Sequence, residues 1–177
     1  MKALKLFSIL LVAVLIISVL FYEKIITSIL LPQYIEWAHK NDQKGLEIRK
    51  PLNEQELALA AEIGIKYPEK VRVVYVDGVP FPYENFALKF FGEAVGIVGK
   101  GIINNAQVFG YSIYARKDFV LNRPKLAHEL VHVLQIERAS LDEVVTQHFF
   151  DMAEYGYHQA PLEVEAAKAN IKYSADW

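Results

Sequence analysis

Two histidines and a glutamate lie within one short stretch of the chain, His128-Glu129-Leu130-Val131-His132. Residues four apart lie one turn apart on the same face of a helix, so both imidazoles can reach one metal ion. The intervening Glu129 can then address a water molecule at that ion. The pattern predicts a metal site with a candidate general base, and the alternative is an ordinary pair of surface or core histidines.

A tetrahedral zinc site needs a third protein ligand and keeps its fourth place for water. The chain has no cysteine, and no third histidine follows His132 closely, so a carboxylate from a later helix is the alternative. The segment at residues 161–167 is the obvious source, because a helix there places Glu163 on one face with Ala166 and Ala167. Small alanines at these positions would let that helix approach the one that carries the histidines.

Three helices are predicted in the C-terminal half, at residues 122–137, 140–156 and 161–172. Asn122 is a possible cap of the first, and Pro124 suits its first turn. Ser140 begins the second with the S-x-x-E pattern of a capping box. Pro161 opens the third, which is rich in alanine.

A small sheet is predicted ahead of these helices. Residues 71–76 form a β-branched and aromatic strand, and residues 95–103 and 108–115 look like two paired strands. Asn53 caps an earlier amphipathic helix that glycine ends at residue 64. A small sheet combined with helices gives the α+β class.

The N-terminus carries a run of apolar residues, Leu6 to Tyr22, which only Ser8 and Ser18 interrupt. As a helix this run is about 25 Å long, slightly short of a ~30 Å hydrocarbon core. It predicts a transmembrane helix that is retained, because no small-x-small cleavage site follows. A cleaved signal peptide and a buried N-terminal helix are the alternatives.

The apolar residues Ile25 to Leu31 could continue this helix into the membrane interface, which divides the chain into an anchor at residues 1–31 and a body at residues 32–177. Residues 33–44 would form a juxtamembrane stalk. Lys2 and Lys5 precede the apolar run, so the positive-inside rule places the N-terminus in the cytoplasm and the body outside it.

The overall charge nearly cancels, with 19 basic against 21 acidic side chains. No basic field exists to attract nucleic acid, so we expect no nucleic-acid partner. The predicted partners are a peptide or protein substrate, and the membrane through the N-terminal helix.

The stretch His128 to Gln135, together with Leu162 to Ala166, resembles the zincin metallopeptidases. Within them it is similar to the gluzincin-type families, in which a glutamate from a downstream E-x-x-A pattern completes the metal site. The longer stretch from His128 to Ala166 also resembles uncharacterised bacterial proteins classed as metallopeptidases, which share H-E-L-x-H-V-x-Q and G-Y-x-x-A-P-L-E-x-E-A.

The resemblance implies a zincin-like domain that binds Zn²⁺ through His128, His132 and Glu163, with Glu129 as the general base. Glu165 is the alternative third ligand, but only Glu163 has an alanine three residues later. The implied activity is that of a membrane-anchored zinc metallopeptidase that hydrolyses peptide bonds through a zinc-activated water.

Two other functions fit the same residues. One is a catalytically silent, zinc-stabilised binding or scaffold protein of the cell envelope, and the other is a zinc hydrolase of non-peptide bonds. The presence of Glu129 favours catalysis, because a silent relative can dispense with a general base.

Several further residues are candidates for supporting roles. The strand at residues 108–115 resembles the zincin edge strand that aligns an extended substrate. Tyr155, Tyr157 and His158 are candidate hydrogen-bond donors to a developing oxyanion. His148 lies on the apolar face of its predicted helix, which indicates a core histidine.

Overall fold

The computed structural model describes residues 7, 10–12, 21, 23–48, 50–94, 96–175 and 177. It is α+β, with a small three-stranded sheet surrounded by helices. The strands are β1 (Arg72–Val76), β2 (Ala106–Phe109) and β3 (Ser112–Arg116). The helices are α1 (Leu31–Glu47), which follows a π-helical turn at Ile26–Leu30, α2 (Glu54–Ile63), α3 (Phe86–Ala94), α4 (Arg123–Arg138), α5 (Leu141–Tyr155) and α6 (Pro161–Lys172).

Side-chain caps begin the helices where the sequence predicts them. The Asn53 side chain accepts a hydrogen bond from Glu56 N in a full capping box at the start of α2. The Asn122 and Ser140 side chains cap α4 and α5 by accepting from Lys125 N and Glu143 N. Each cap satisfies a backbone N–H that has no partner inside the helix. The predictions of α2, α4, α5, α6 and the strand β1 are confirmed.

The sheet has the order β1-β3-β2, with β3 parallel to β1 and antiparallel to β2. The single strand predicted at residues 108–115 is wrong, because the chain reverses between β2 and β3. Gly110 makes this turn possible, since its φ of 57° lies in the left-handed region that side chains disfavour. The strand β2 therefore lies at the edge of the sheet, and β3 lies in its centre.

The strand predicted at residues 95–103 is also wrong. Residue 95 lies outside the described residues, residues 96–101 form turns and bends, and residues 102–103 are irregular. Gly96, Gly99 and Gly101 all have positive φ angles there, which extended strands do not tolerate. The helix α3, which sequence reasoning missed, begins just after Asn85, whose side chain accepts hydrogen bonds from Ala87 N and Leu88 N.

Side chains alternate across the two faces of the sheet. Ile113 of β3 packs into the main core, which also contains Leu130 of α4 and Ala166 of α6. The next residue, Tyr114, points to the opposite face and packs with Ala38 of α1. The sheet therefore lies between α1 and the helices that carry the predicted metal ligands.

The helix α1 is part of this packed body, and its prediction as a juxtamembrane stalk is wrong. Ala38 is fully buried against the sheet. The Tyr114 hydroxyl donates to Asn41 O at 2.7 Å, and the Ser112 hydroxyl donates to Asp42 O at 2.9 Å. These bonds fix α1 across the central strand.

The predicted N-terminal transmembrane helix is not supported by the structure. Among the described residues, no helix is both long enough and apolar enough to cross a bilayer. Most of the run at residues 6–22 lies outside the described residues. The apolar residues that follow it, Ile26, Leu30 and Leu31, pack against Leu88 and Phe149 of the body. The predicted single-pass membrane localisation, with the body outside the cytoplasm, depends on that helix and is likewise not supported by the described residues.

The contact between α1 and β3 yields a test of this packing. A Cβ atom at Gly45 would overlap Cβ and Oγ of Ser112, whereas one at Gly78 would meet nothing within 4 Å. We expect Gly45→Ala to lower the free energy of unfolding by about 2 kcal/mol, the usual scale of core overpacking. Gly78→Ala is the matched control and should change it by less than about 0.5 kcal/mol. Urea unfolding measures both values, and an equal effect of the two variants would contradict the packing.

Candidate metal centre

Two helices bring the predicted ligands together. His128 and His132 lie one turn apart on α4, and Glu163 lies in the first turn of α6. Ala166 is fully buried where α6 packs against α4, as the sequence predicts. Ala167, which was expected on the same buried face, is exposed. Ala169 is buried in the core instead.

The ligand atoms of these three residues all lie within 4.8 Å of one another. His128 Nε2 lies 3.2 Å from His132 Nε2 and 3.5 Å from Glu163 Oε2. His132 Nε2 lies 3.6 Å from Glu163 Oε1. A tetrahedral ion with bonds of ~2.0–2.1 Å separates its ligand atoms by about 3.3 Å. The group can therefore hold a metal ion.

The structure distinguishes the two candidate glutamates. Glu165 Oε2 accepts a hydrogen bond from Gln135 Nε2 at 2.9 Å, and Glu165 Oε1 pairs with Arg138 Nη1 at 2.5 Å. Its carboxylate is thereby engaged along the side of α4, while that of Glu163 contacts the imidazoles.

Gln135 is a supporting residue to which sequence reasoning assigned no role. Its Oε1 lies 2.9 Å from His132 Nδ1, and its Nε2 donates to Leu162 O at 3.0 Å. When His132 Nδ1–H donates to Gln135, the lone pair of His132 Nε2 is left for a metal. Its position three residues after His132, on the same helix face, is the signal that could have found it.

The protonation of the centre suits metal binding at two of the ligands. Burial alone would raise the pKa of Glu163, but the hydrogen bond from His128 and the nearby His132 and His148 hold it below its usual value. Burial lowers the pKa of His132, which favours the neutral imidazole. Burial also opposes a charge on His128, yet Glu163 and Glu129 outweigh it and raise the pKa of His128, so an ion must displace a proton there.

Glu129 is 8% exposed and lies against the ligand set. Its pKa is raised to about 7, chiefly because burial disfavours the carboxylate and also because Glu163 is negative, while His128 opposes the shift. A carboxyl group with a pKa near neutrality can both accept and return a proton. The arrangement therefore combines three possible ligands with a buried acid–base group.

His148 also belongs to the centre, so its prediction as a core histidine is wrong. Its Nε2 lies 3.4 Å from Glu163 Oε1, and about a quarter of its side chain is exposed. A histidine in the otherwise apolar stripe of α5 was the available signal. Its meaning depended on the packing of α5 beside α6, which no local pattern shows.

Of the three candidate oxyanion donors, the structure brings Tyr157 to the centre. Tyr157 lines the cavity beside Glu163, and partial burial, together with the charges of Glu163 and Glu129, raises its pKa. Tyr157 therefore remains a neutral O–H donor. Tyr155 and His158 are exposed and do not line the cavity above the ligands.

This cavity opens beside the metal ligands. The edge strand β2 forms one wall, while α3 and α5 form others. The strand that lines the cavity is β2, at residues 106–109. Of the edge strand predicted at residues 108–115, only residues 108–109 belong to it, whereas residues 112–115 belong to the central strand β3. An extended chain can pair with an unpaired strand edge of this kind.

Comparisons of this chain with protein-family models, curated proteins and solved structures give no match. The resemblance to zincins therefore stays a prediction that depends on the motif residues.

The geometry predicts different effects of the two glutamates on metal binding. With Zn²⁺ as the probe ion, we expect Glu163→Gln to weaken binding at least 100-fold, because a neutral amide replaces a charged ligand. Glu165→Gln should weaken it by less than about 10-fold. Competition with a chromophoric chelator measures both affinities, and equal losses would contradict the assignment of Glu163.

Proposed function

We propose that the protein is a zinc-dependent metallopeptidase. The observation that carries the proposal is the ligand set of His128, His132 and Glu163 beside the buried Glu129 in an open cavity. Two imidazoles and one carboxylate at tetrahedral spacing are a ligand set that suits catalytic zinc.

A zinc ion held by this set would lower the pKa of a bound water toward ~7 and polarise the carbonyl of a substrate. Glu129 accepts the proton released in the attack and passes it to the leaving amine. Its pKa of about 7 allows both transfers near neutral pH. The neutral hydroxyl of Tyr157 donates a hydrogen bond to the developing oxyanion.

The position of β2 at the edge of the sheet supports a peptide as the substrate. An extended peptide that pairs with this edge would pass beside the metal ligands, because residues 106–109 line the same cavity. A zinc hydrolase of other bonds would have no need of an unpaired strand beside its centre.

The alternative function is a zinc-stabilised binding or scaffold protein without turnover. Glu129 counts against it, because a purely structural site has no need of a buried carboxyl group that is not a ligand. The open cavity counts against it as well, since structural zinc sites are closed by a fourth protein ligand.

Zinc content tests the ligand set. We expect His128→Ala and His132→Ala to lose stoichiometric zinc, because two remaining ligands cannot hold the ion tightly. His39→Ala is the matched control, since His39 is exposed and pairs with Asp142 away from the centre. Metal analysis after dialysis gives the result, and equal zinc in all four proteins would exclude this metal centre.

The general base is tested separately. We expect Glu129→Gln to keep zinc but lower peptide hydrolysis at least ~100-fold, the scale of lost general-base chemistry. Glu154→Gln, at an exposed position on α5, is the control. A mixed peptide library followed by mass spectrometry measures cleavage. Zinc binding without hydrolysis by the unaltered protein would favour the scaffold alternative.

A further inference from the structure

The cavity extends beyond the metal ligands into an apolar region. Its volume is about 130 Å³, and its mouth is open to solvent. The walls away from the ligands are formed chiefly by apolar side chains of α3, α5 and the loop after α3. These are Leu88, Phe91, Ile97, Val145, Phe149 and Met152.

Two stacked aromatic rings form part of this wall. The rings of Phe91 and Phe149 are 3.9 Å apart between centroids and inclined by only 7°. Leu88 and Met152, which also line the cavity, are almost fully buried. Large apolar groups bind surfaces of this kind because they remove apolar area from water, and aromatic groups gain further from ring contacts.

The lining also lacks charges that could pair with a charged ligand. Among the described residues that line the cavity there is no lysine, arginine or aspartate, and the two glutamates belong to the metal centre. A charged side chain placed in the apolar region would lose its hydration without gaining a partner. The cavity therefore disfavours charged groups as well as favouring apolar ones.

One polar atom in the wall points to a peptide rather than a hydrocarbon chain. Gln107 of β2 donates from Nε2 to the Tyr34 hydroxyl at 2.7 Å, while its Oε1 is buried and has no partner among the described residues. A bound N–H group that reaches this oxygen would satisfy it. A peptide backbone supplies such a donor, and an acyl chain does not.

We propose that this cavity selects peptides with a bulky apolar residue, aromatic or branched aliphatic, beside the bond that is cleaved. The side chain lies against Phe91 and Phe149, and Gln107 accepts a hydrogen bond from the peptide backbone. The cleavage of such peptides rests on the proposed metallopeptidase function, whereas their selective binding in the cavity does not.

The first experiment compares rates of cleavage by the full chain loaded with zinc. Peptides of glycine, serine and alanine carry one variable residue, which is Phe, Leu, Ala, Lys or Asp. We expect kcat/KM at the bond beside the variable residue to be at least 10-fold higher for Phe and Leu than for Ala, and lowest for Lys and Asp. Equal rates, or a preference for a charged residue, would overturn the proposal.

Filling the cavity tests its location. Ala106 of β2 lines the cavity, so Ala106→Phe should lower kcat/KM for the Phe peptide at least 10-fold and leave zinc content unchanged. Ala87→Phe adds the same ring on the exposed side of α3 and should change neither value. An unchanged preference for Phe in Ala106→Phe would place the selectivity outside this cavity.

A binding measurement separates this proposal from the proposed function. Titration calorimetry with the Glu129→Gln protein should show that N-acetyl-phenylalanine amide binds at least 10-fold more tightly than N-acetyl-alanine amide. Gln107→Met should weaken binding of the phenylalanine compound about 5- to 10-fold, and an unchanged affinity would exclude Gln107 as the acceptor. Selective binding without hydrolysis by the unaltered protein supports the cavity and refutes the peptidase, while hydrolysis without selectivity does the reverse.

Discussion

The close packing of α6 against α4 is the constraint on which the rest of the structure depends. The two histidines lie on one helix and the carboxylate on the other, so the ligand set exists only while these helices touch. Ala166 permits the approach because its small side chain is fully buried in the contact. Gln135 of α4 fixes the register, since its side chain donates both to Leu162 O and to Glu165 of α6. The same side chain contacts His132, so the packing of the helices and the orientation of a ligand are coupled.

That packing also gives two buried carboxyl groups different properties. Glu163 is surrounded by histidines, which hold its pKa low and keep it charged. Glu129 is more strongly dominated by burial and by the negative charge of Glu163, so its pKa is raised to about 7. Environments that separate the pKa values of neighbouring acids are a common way to assign a ligand and a base. In the cavity, the two carboxyl groups lie at the metal centre, whereas the walls farther away are chiefly apolar.

Local patterns in the sequence were sufficient for a large part of this description. The caps at Asn53, Asn122 and Ser140 were predicted correctly, because a cap is an interaction between residues three or fewer positions apart. The spacing of His128 and His132 was informative for the same reason, since one helical turn fixes their relation. The strand β1 and the helix α6 were also predicted, whereas the β2–β3 hairpin and α3 were not.

The sequence by itself determined the helices α2, α4, α5 and α6 and the spacing of the histidine pair, because these features depend on residues close together in the chain. Only the tertiary structure decided that Glu163 rather than Glu165 contacts the histidines, and that His148 joins them, because these contacts cross between helices. It also decided that Ile26, Leu30 and Leu31 pack against the body. An apolar run has the same sequence signature whether lipid or protein covers it, since both remove it from water.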